Sequence, residues 1–333
     1  STEGCAKSYT YTNDGVTVRM LASLNASNKL CRPCNRIWMR WQLFWYLLRQ
    51  KKGAHVLVYH SLGYMKTIAL AKKIRKLRLI LEVEEIYGDV IGNPKVVKRE
   101  LSFFRLADRY IFPTQLLDEK INKEKKPSAI IHGTYQVEPD RKCNVFDGNL
   151  QSDGKRNIHC VYAGTFDPRK GGAAAAAAAA FLPSNYHIHI LGFGSEADTE
   201  AMKNKIEDLS KHSSASVTYD GLLSGEEYIR FIQSCDIGLS TQNPDAAFNA
   251  TSFPSKILSY MANGLRVVSI RIPAIENSAV GNCLYYYDRQ TPEEIAKAIM
   301  AVNISDDYDG RKIISQLDER FQRELAALLE ETG

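Results

Sequence analysis

Short apolar runs and helix-length amphipathic segments alternate along this chain twice, once on each side of a polar, Gly- and Asp-containing stretch at Glu138–Arg156. Strands separated by helical crossovers pair in parallel, and such sheets bind ligands beyond the carboxyl ends of their strands. The first series reads as strand Val16–Leu24, a Cys31–Cys34 turn, helix Arg36–Lys51, strand His55–Tyr59, helix Tyr64–Lys76, strand Arg78–Val83, helix Lys95–Ala107 and strand Arg109–Pro113. The second reads as strand Asn157–Ala163, helix Ala173–Phe181, strand Tyr186–Leu191, helix Ala197–His212, strand Val217–Tyr219, helix Glu226–Ser234, strand Ile237–Ser240, helix Pro254–Asn263, strand Arg266–Ile270 and helix Pro292–Val302. The expected fold is α/β: two Rossmann-like, doubly wound parallel-sheet domains over 1–140 and 157–305, a linker at 141–156, and a closing charged helix within 306–333.

A length of 333 residues fits two domains, and 7 Cys make no disulfide scaffold. No apolar stretch reaches the ~18 residues of a bilayer span, and no signal-peptide pattern opens the chain, so a cytoplasmic protein is expected. Charge is uneven, with 26 Lys and Arg against 14 Asp and Glu over 1–150, and 17 against 24 thereafter. The basic residues are not interleaved with a nucleic-acid readout motif, so nucleic acid is not an expected partner. An anionic membrane surface is, since each nearby Lys or Arg contributes about 1 kcal/mol there; that would make the protein peripheral on the inner membrane face. The plain alternative is a solvated basic face. Ile37, Trp41, Phe44, Trp45 and Leu48 recur at helical spacing, a pattern that more often marks core than membrane anchor. Two features stand out: eight consecutive alanines, Ala173–Ala180, which suggest unassigned side chains, and a first domain without an opening apolar strand and Gly-rich turn, which suggests an incomplete N-terminus.

The chemistry concentrates in the second series. Gly164-Thr165-Phe-Asp-Pro-Arg169-Lys170-Gly171-Gly172 joins a strand to a helix. Glycines let backbone amides approach an anion, a helix start adds partial positive charge, and Lys170 adds a full one. Downstream, Phe253-Pro254-Ser255-Lys256 opens another helix, where Ser252 and Ser255 are expected to cap free amides. The two starts, flanked by Lys170 and Lys256, suit one diphosphate; the alternatives are an ordinary strand-to-helix turn and a well-capped helix. Neither segment is a Walker motif or a dinucleotide fingerprint, which disfavours an ATPase or a dehydrogenase.

Taken in order, Gly-Thr-Phe-x-x-x-Lys-Gly, Ile-Leu-Gly-Phe-Gly, Tyr-Asp-Gly-Leu-Leu-Ser and Phe-Pro-Ser-Lys-Ile-Leu-Ser-Tyr-Met-Ala-Asn-Gly resemble the donor half of GT-B glycosyltransferases, similar to the retaining enzymes of glycosyltransferase family 4. In the first half the resemblance rests on Val-Tyr-His60-Ser and Leu-Glu-Val-Glu84-Glu85. It implies two domains facing across a cleft. By position, Gly164 and Thr165 would face the phosphates of a nucleotide diphosphate sugar, and Lys170 and Lys256 would neutralise them. Gly192, Tyr219, Gly221 and Leu222 would line the nucleobase pocket; Phe253, Pro254 and Ser255 would lie under diphosphate and sugar, and Ser259 near the ribose. His60 and Glu85 would orient acceptor or sugar, although each taken alone reads as a structural polar group. Family members commonly carry Arg at Thr165 and acids at Thr251 and Ser259, and all three charges are absent here. Loss of one charge-stabilising donor costs about 3–4 kcal/mol in a transition state unless Lys256 replaces it.

The resemblance therefore implies a retaining, metal-independent glycosyltransferase that moves a sugar to a glycan or lipid-linked acceptor in surface polysaccharide synthesis. No cofactor and no metal are expected: the lone Cys31-x-x-Cys34 lacks a second pair, and the seven His are scattered. The alternative is a catalytically silent GT-B paralogue that stabilises a glycosyltransferase complex, a role the missing acids would suit.

Overall fold

The computed structural model describes residues 7–13, 15–24, 31–141, 145–146, 156–246, 249 and 251–330. Two compact units emerge: Ser1–Ile111 with Ile121–Ser128, and Phe112–Lys120 with Ala129–Gly333. Much of the expected linker, including 147–155, lies outside the described residues.

The chain begins with an antiparallel ribbon, β1 (Tyr9–Asn13) on β2 (Val16–Met20). Helix α1 spans Cys31–Leu48. The expected Cys31–Cys34 turn is instead its first turn, where Pro33 is tolerated because the first amides of a helix have no partner to lose. A sheet follows, with β3 (His55–Tyr59), β4 (Arg78–Glu82), β5 (Arg109–Phe112) and β6 (Ser128–Ile130) in that spatial order. The β3–β4 and β4–β5 pairs are parallel. Between the strands lie α2 (Met65–Arg75), α3 (Tyr87–Ile91), α4 (Pro94–Phe104) and α5 (Gln115–Ile121). Asn93 caps α4 by accepting from the Lys95 and Val96 amides, with Pro94 at the first helical position.

The second unit holds six parallel strands: β7 (Ile158–Thr165), β8 (Tyr186–Phe193), β9 (Ser216–Gly221), β10 (Ile237–Ser240), β11 (Arg266–Ile270) and β12 (Tyr285–Tyr287), in the order β12-β11-β10-β7-β8-β9. Most of their side chains are buried on both faces, as near-continuous apolar runs require. Around them run α6 (Gly172–Ala177), α7 (Glu196–His212), α8 (Gly225–Ser234), α9 (Lys256–Ala262), α10 (Pro273–Glu276), α11 (Pro292–Met300) and α12 (Gly310–Glu330). The alanine run forms α6 and then tightens into a 3-10 turn at Ala178–Phe181, with Ala175, Ala176, Ala178 and Ala179 fully buried. Among the described residues, no helix is long and apolar enough to cross a membrane. The expectation that the α1 aromatics pack in a core is not met: Ile37, Trp41 and Trp45 are exposed.

Candidate functional site

Sheet order positions the site. From β7 the chain steps outward to β8 and β9, then crosses back to β10, β11 and β12, so the strand order reverses between β7 and β10. At such a reversal the crossover helices leave on opposite faces and a crevice opens outside the strand ends. The pairing records the splay: β10 meets β7 only at Ile237 with Cys160 and Gly238 with Val161, whereas β8 follows β7 as far as Thr165. Past that point the Ala163 N–H donates to the Tyr260 hydroxyl at 2.8 Å. Gly238 admits the Tyr260 ring, since a Cβ there would lie 2.3 Å from it.

A cavity of about 730 Å³ occupies this crevice, and all its lining residues belong to the second unit. Gly164, Thr165 and Lys170 border it from the β7 side, and Phe253, Pro254, Ser255, Lys256 and Ser259 from the α9 side. The structure thus brings together eight residues expected to contact a diphosphate sugar. Lys256 is their centre. Its buried Nζ sits 3.8 Å from the centroid of the Tyr162 ring and has no hydrogen-bond partner among the described residues. Burial, reinforced by the Lys170 charge, lowers its pKa to about 7. Gly164 leaves room for it, because a Cβ at 164 would come within 3.1 Å of that nitrogen. Ser252 Oγ, in the same cavity, is also buried and unpartnered. Each orphaned buried polar group costs about 1–3 kcal/mol, more when charged. Two on one cavity leave donors that an acceptor-rich ligand could satisfy.

The helix starts contribute less than the sequence suggests. α6 has six residues and α9 seven, and α9 begins at Lys256 rather than Pro254. Neither Ser252 nor Ser255 caps it, contrary to expectation: among the described residues no side chain caps α9, and the Ser252 hydroxyl has no partner. Positive charge at the cavity comes from Lys170 and Lys256, which line it; Arg169 is engaged by Asp167, whose carboxyl it holds below its ordinary pKa. The turn carrying Lys170 is pinned at Gly171 (φ +82°), where a Cβ would fall 1.7 Å from the Thr241 carbonyl oxygen. The Thr241 hydroxyl donates to the Gly171 carbonyl at 2.8 Å.

The residues expected at the nucleobase lie beside the cavity, and none lines it. Gly192 is the register partner of Gly164; at φ +139° a Cβ there would meet the Gly164 carbonyl oxygen at 1.7 Å. Tyr219 donates its hydroxyl to the Gly192 carbonyl at 3.1 Å. Gly221 ends β9 with φ +84°, and Leu222 is exposed. His60 and Glu85 are in the first unit. His60 is buried, its Nε2 2.8 Å from a Glu100 carboxylate that also accepts from the Tyr87 and Gly88 amides; these bonds give it a structural role. Glu85 is half-buried.

Several residues escaped the sequence reading. Tyr228, Thr134, Gln136, Gln242 and Asn249 line the cavity, and the Tyr228 hydroxyl bonds Ser259. His132 stacks near Phe253, donates Nδ1–H to the Pro113 carbonyl at 2.7 Å and accepts from the Ala279 amide at 3.1 Å. Tyr228 lies on an amphipathic helix face, where its pattern is that of a core residue; the others lie in loops that carry no periodic signal. The histidines are not all scattered, either: His159, His187 and His189 place three ring nitrogens within 4.8 Å of one another.

Residues 157–303 match the family model described as Glycosyl transferases group 1. No curated protein matches the chain. Among solved structures, HepE of Anabaena in complex with UDP is similar at 14% identity and TM-score 0.62, over 90% of this chain and 82% of that one. The UDP-forming trehalose-phosphate synthase of Burkholderia xenovorans aligns with TM-score 0.67 at 8% identity, over 99% and 89% of the two chains. The lipopolysaccharide outer core galactosyltransferase WaaB aligns with TM-score 0.55 at 14% identity, over 91% and 82%. The chain has the GT-B fold of these glycosyltransferases.

Proposed function

We propose that this GT-B chain is a glycosyltransferase that takes a nucleotide diphosphate sugar in the β7–β10 crevice, with Lys256, Ser252, Lys170 and the Gly164 backbone around the diphosphate. The observation that carries the reading is the buried, unpartnered Lys256 ammonium facing a cavity that Gly164 keeps open. A diphosphate would supply both the acceptor oxygens and the countercharge it lacks. The family match and the UDP held by HepE support the same substrate class.

Departure of the nucleoside diphosphate leaves negative charge on its outer phosphate. Lys256 and Lys170 would stabilise that charge from fixed positions in a site of low dielectric, the larger part of most such rate enhancements. Transfer with retention at the anomeric carbon, through positioning of the acceptor hydroxyl, is the mechanism we favour on the resemblance to retaining enzymes. A glycan or lipid-linked acceptor in surface polysaccharide synthesis accords with the exposed aromatic face of α1 and the basic first half. Lys256 also weighs against a catalytically silent paralogue, for which a buried unpaired cation would be a cost without return.

The test is calorimetric titration of the purified chain with UDP, other nucleoside diphosphates and their sugars, followed by a donor-hydrolysis assay. Saturable binding of one nucleotide series with slow release of the diphosphate is expected. No binding across the panel would overturn the proposal, and binding without turnover in the presence of acceptor glycans would reinstate the silent paralogue.

A further inference from the structure

At the amino-terminal half of the second sheet, away from the donor crevice, three strands turn polar side chains to one face. His159 stands on β7, His187 and His189 two residues apart on β8, and Thr218 and Asp220 on β9. Register makes the cluster: His159 pairs with His187 and His189 with Thr218, and on a pleated sheet opposed residues and their i+2 neighbours share a face. His159 and His189 are buried and His187 half-buried, so access runs past His187. From these residues the geometry points to a binding site for one divalent transition-metal ion of the zinc class, held by the three imidazoles and stapling β7, β8 and β9.

Two of the three nitrogens are nearly where such an ion needs them. His159 Nδ1 and His189 Nε2 lie 3.0 Å apart. Two ligand nitrogens on a tetrahedral zinc, each about 2.0–2.1 Å from the metal, stand about 3.3 Å apart. A few tenths of an ångström would therefore admit the ion between these two, with the Nδ1 proton of His159 moving to solvent or to its own Nε2; the His187 ring, stacked on that of His189 with centroids 3.9 Å apart, must turn to aim its nitrogen at the same ion. The outer partners are in place too. His189 turns its other nitrogen, Nδ1, to the Asp220 carboxylate at 3.2 Å, the carboxylate–histidine arrangement that fixes a ligand's tautomer and raises its basicity. Thr218 donates its hydroxyl to the same carboxylate at 2.9 Å and lies 2.9 Å from His187 Nε2, which leaves His187 Nδ1 for the metal. Phe146 stacks on the faces of His159 and His189 with centroids 4.0 and 4.6 Å away, and so leaves their in-plane lone pairs uncovered. Three imidazoles with a fourth position for water make a nitrogen-rich set that suits zinc, cobalt, nickel or copper and not magnesium or calcium.

The experiment is titration of the full chain, stripped with a chelator, with Zn2+ and Co2+, and with Mg2+ as the contrast. One Zn2+ per chain should bind and raise the thermal midpoint, Co2+ should show the strong visible absorption of a four- or five-coordinate ion, and Mg2+ should do neither. His187→Gln and His189→Gln should weaken Zn2+ at least a hundredfold, and Asp220→Asn ten- to a hundredfold, the range for losing an outer-sphere partner. The paired cysteines near the N-terminus are the competing zinc ligands. A Cys31→Ser, Cys34→Ser double variant that keeps one tight Zn2+ site supports the proposal, and one that loses it overturns the proposal. Should the histidine variants fail to fold, the cysteine-substituted chain decides alone: no saturable Zn2+ site, or a cobalt spectrum like that of the hydrated ion, overturns the inference.

Discussion

The two sheets differ in one topological respect, and their polar residues differ with it. In the first of these sheets the strands run β3-β4-β5-β6 without reversal, and the polar residue at the end of β3, His60, has its Nε2 on Glu100. Burial lowers the His60 pKa, so the ring is neutral; its unpartnered Nδ1 is a bare acceptor, the cheaper kind of orphan. In the second unit the order reverses at β7 and β10, and there Lys256 and Ser252 are left as buried donors without acceptors. Polar residues at strand ends are common to both sheets; what separates a ligand site from a structural knot is whether the protein itself completes their bonds.

The sharpest way to break this contrast is Lys256→Met. A thioether fills the same path over Tyr162 without charge, so nucleotide diphosphate affinity should fall at least a hundredfold, about 3 kcal/mol. Near neutral pH the variant should nevertheless be more stable, by about 1–2 kcal/mol, because a desolvated cation has been removed. Calorimetry and thermal unfolding on one preparation check both; unchanged affinity would leave the crevice without its central cation. Lys170→Ala should lower turnover about a hundredfold or more, and Cys31→Ser should leave it unaltered in the same assay.

In the first unit the reverse is expected. Glu100→Ala strands three donors, the buried ones of His60 and Gly88 and the half-buried Tyr87 amide, and should destabilise by about 3–5 kcal/mol, as breaking a buried network does. Nucleotide affinity of the folded fraction should stay within about twofold, since independent sites add. Hydrogen exchange should show the loss of protection confined to the first unit; a matching drop in affinity would contradict the structural role assigned to His60.

A tenfold effect per pH unit is expected from Lys256 titration. Its folded pKa of about 7 lies below the 10.5 of a free lysine, so between these values the unfolded chain binds more protons and stability rises with pH. Binding runs the other way. A diphosphate raises the Lys256 pKa, so complex formation takes up a proton above pH 7, and affinity should be flat with respect to this group below pH 7 and weaken above it. Titrations in buffers of different ionisation enthalpy measure the uptake; none at pH 8 would mean that Lys256 stays neutral in the complex.

The alternation of strands and helices was readable because periods of 2 and 3.6 are local, and so were the glycines and lysines of the crevice, which sit beside strand and helix ends. β6, with three residues, and α5, with seven, are too short for a period to register. The His159, His187 and His189 cluster could be glimpsed only in part. Alternation on β8 puts two imidazoles on one face, but the third comes from a strand 28 residues earlier, and only the β7–β8 register brings it near. The orphaned state of Ser252 was illegible in principle: a serine before a helix reads as a cap, and whether it caps depends on where the helix begins.

The amphipathic period of α1 likewise told which residues share a face and not what covers it. In the structure Ile37, Trp41 and Trp45 are exposed, and Trp41 stacks on Trp38 at 5.2 Å and meets Trp45 edge-on at 6.1 Å. The same helix carries Arg32, Arg36 and Arg40, of which Arg40 donates to the Gly63 carbonyl at 2.9 Å. Indole rings favour the headgroup level of a bilayer, and neighbouring arginines favour anionic lipid. Co-sedimentation should therefore favour anionic over neutral vesicles, and a Trp41→Ala, Trp45→Ala double variant should lower partitioning several-fold at constant salt, with nucleotide affinity unchanged. Because the rings act through buried apolar area and the arginines through charge, added salt should weaken the native chain and the double variant by the same factor. Equal partitioning on both lipid surfaces would reduce the basic excess of the first unit to a solvated face.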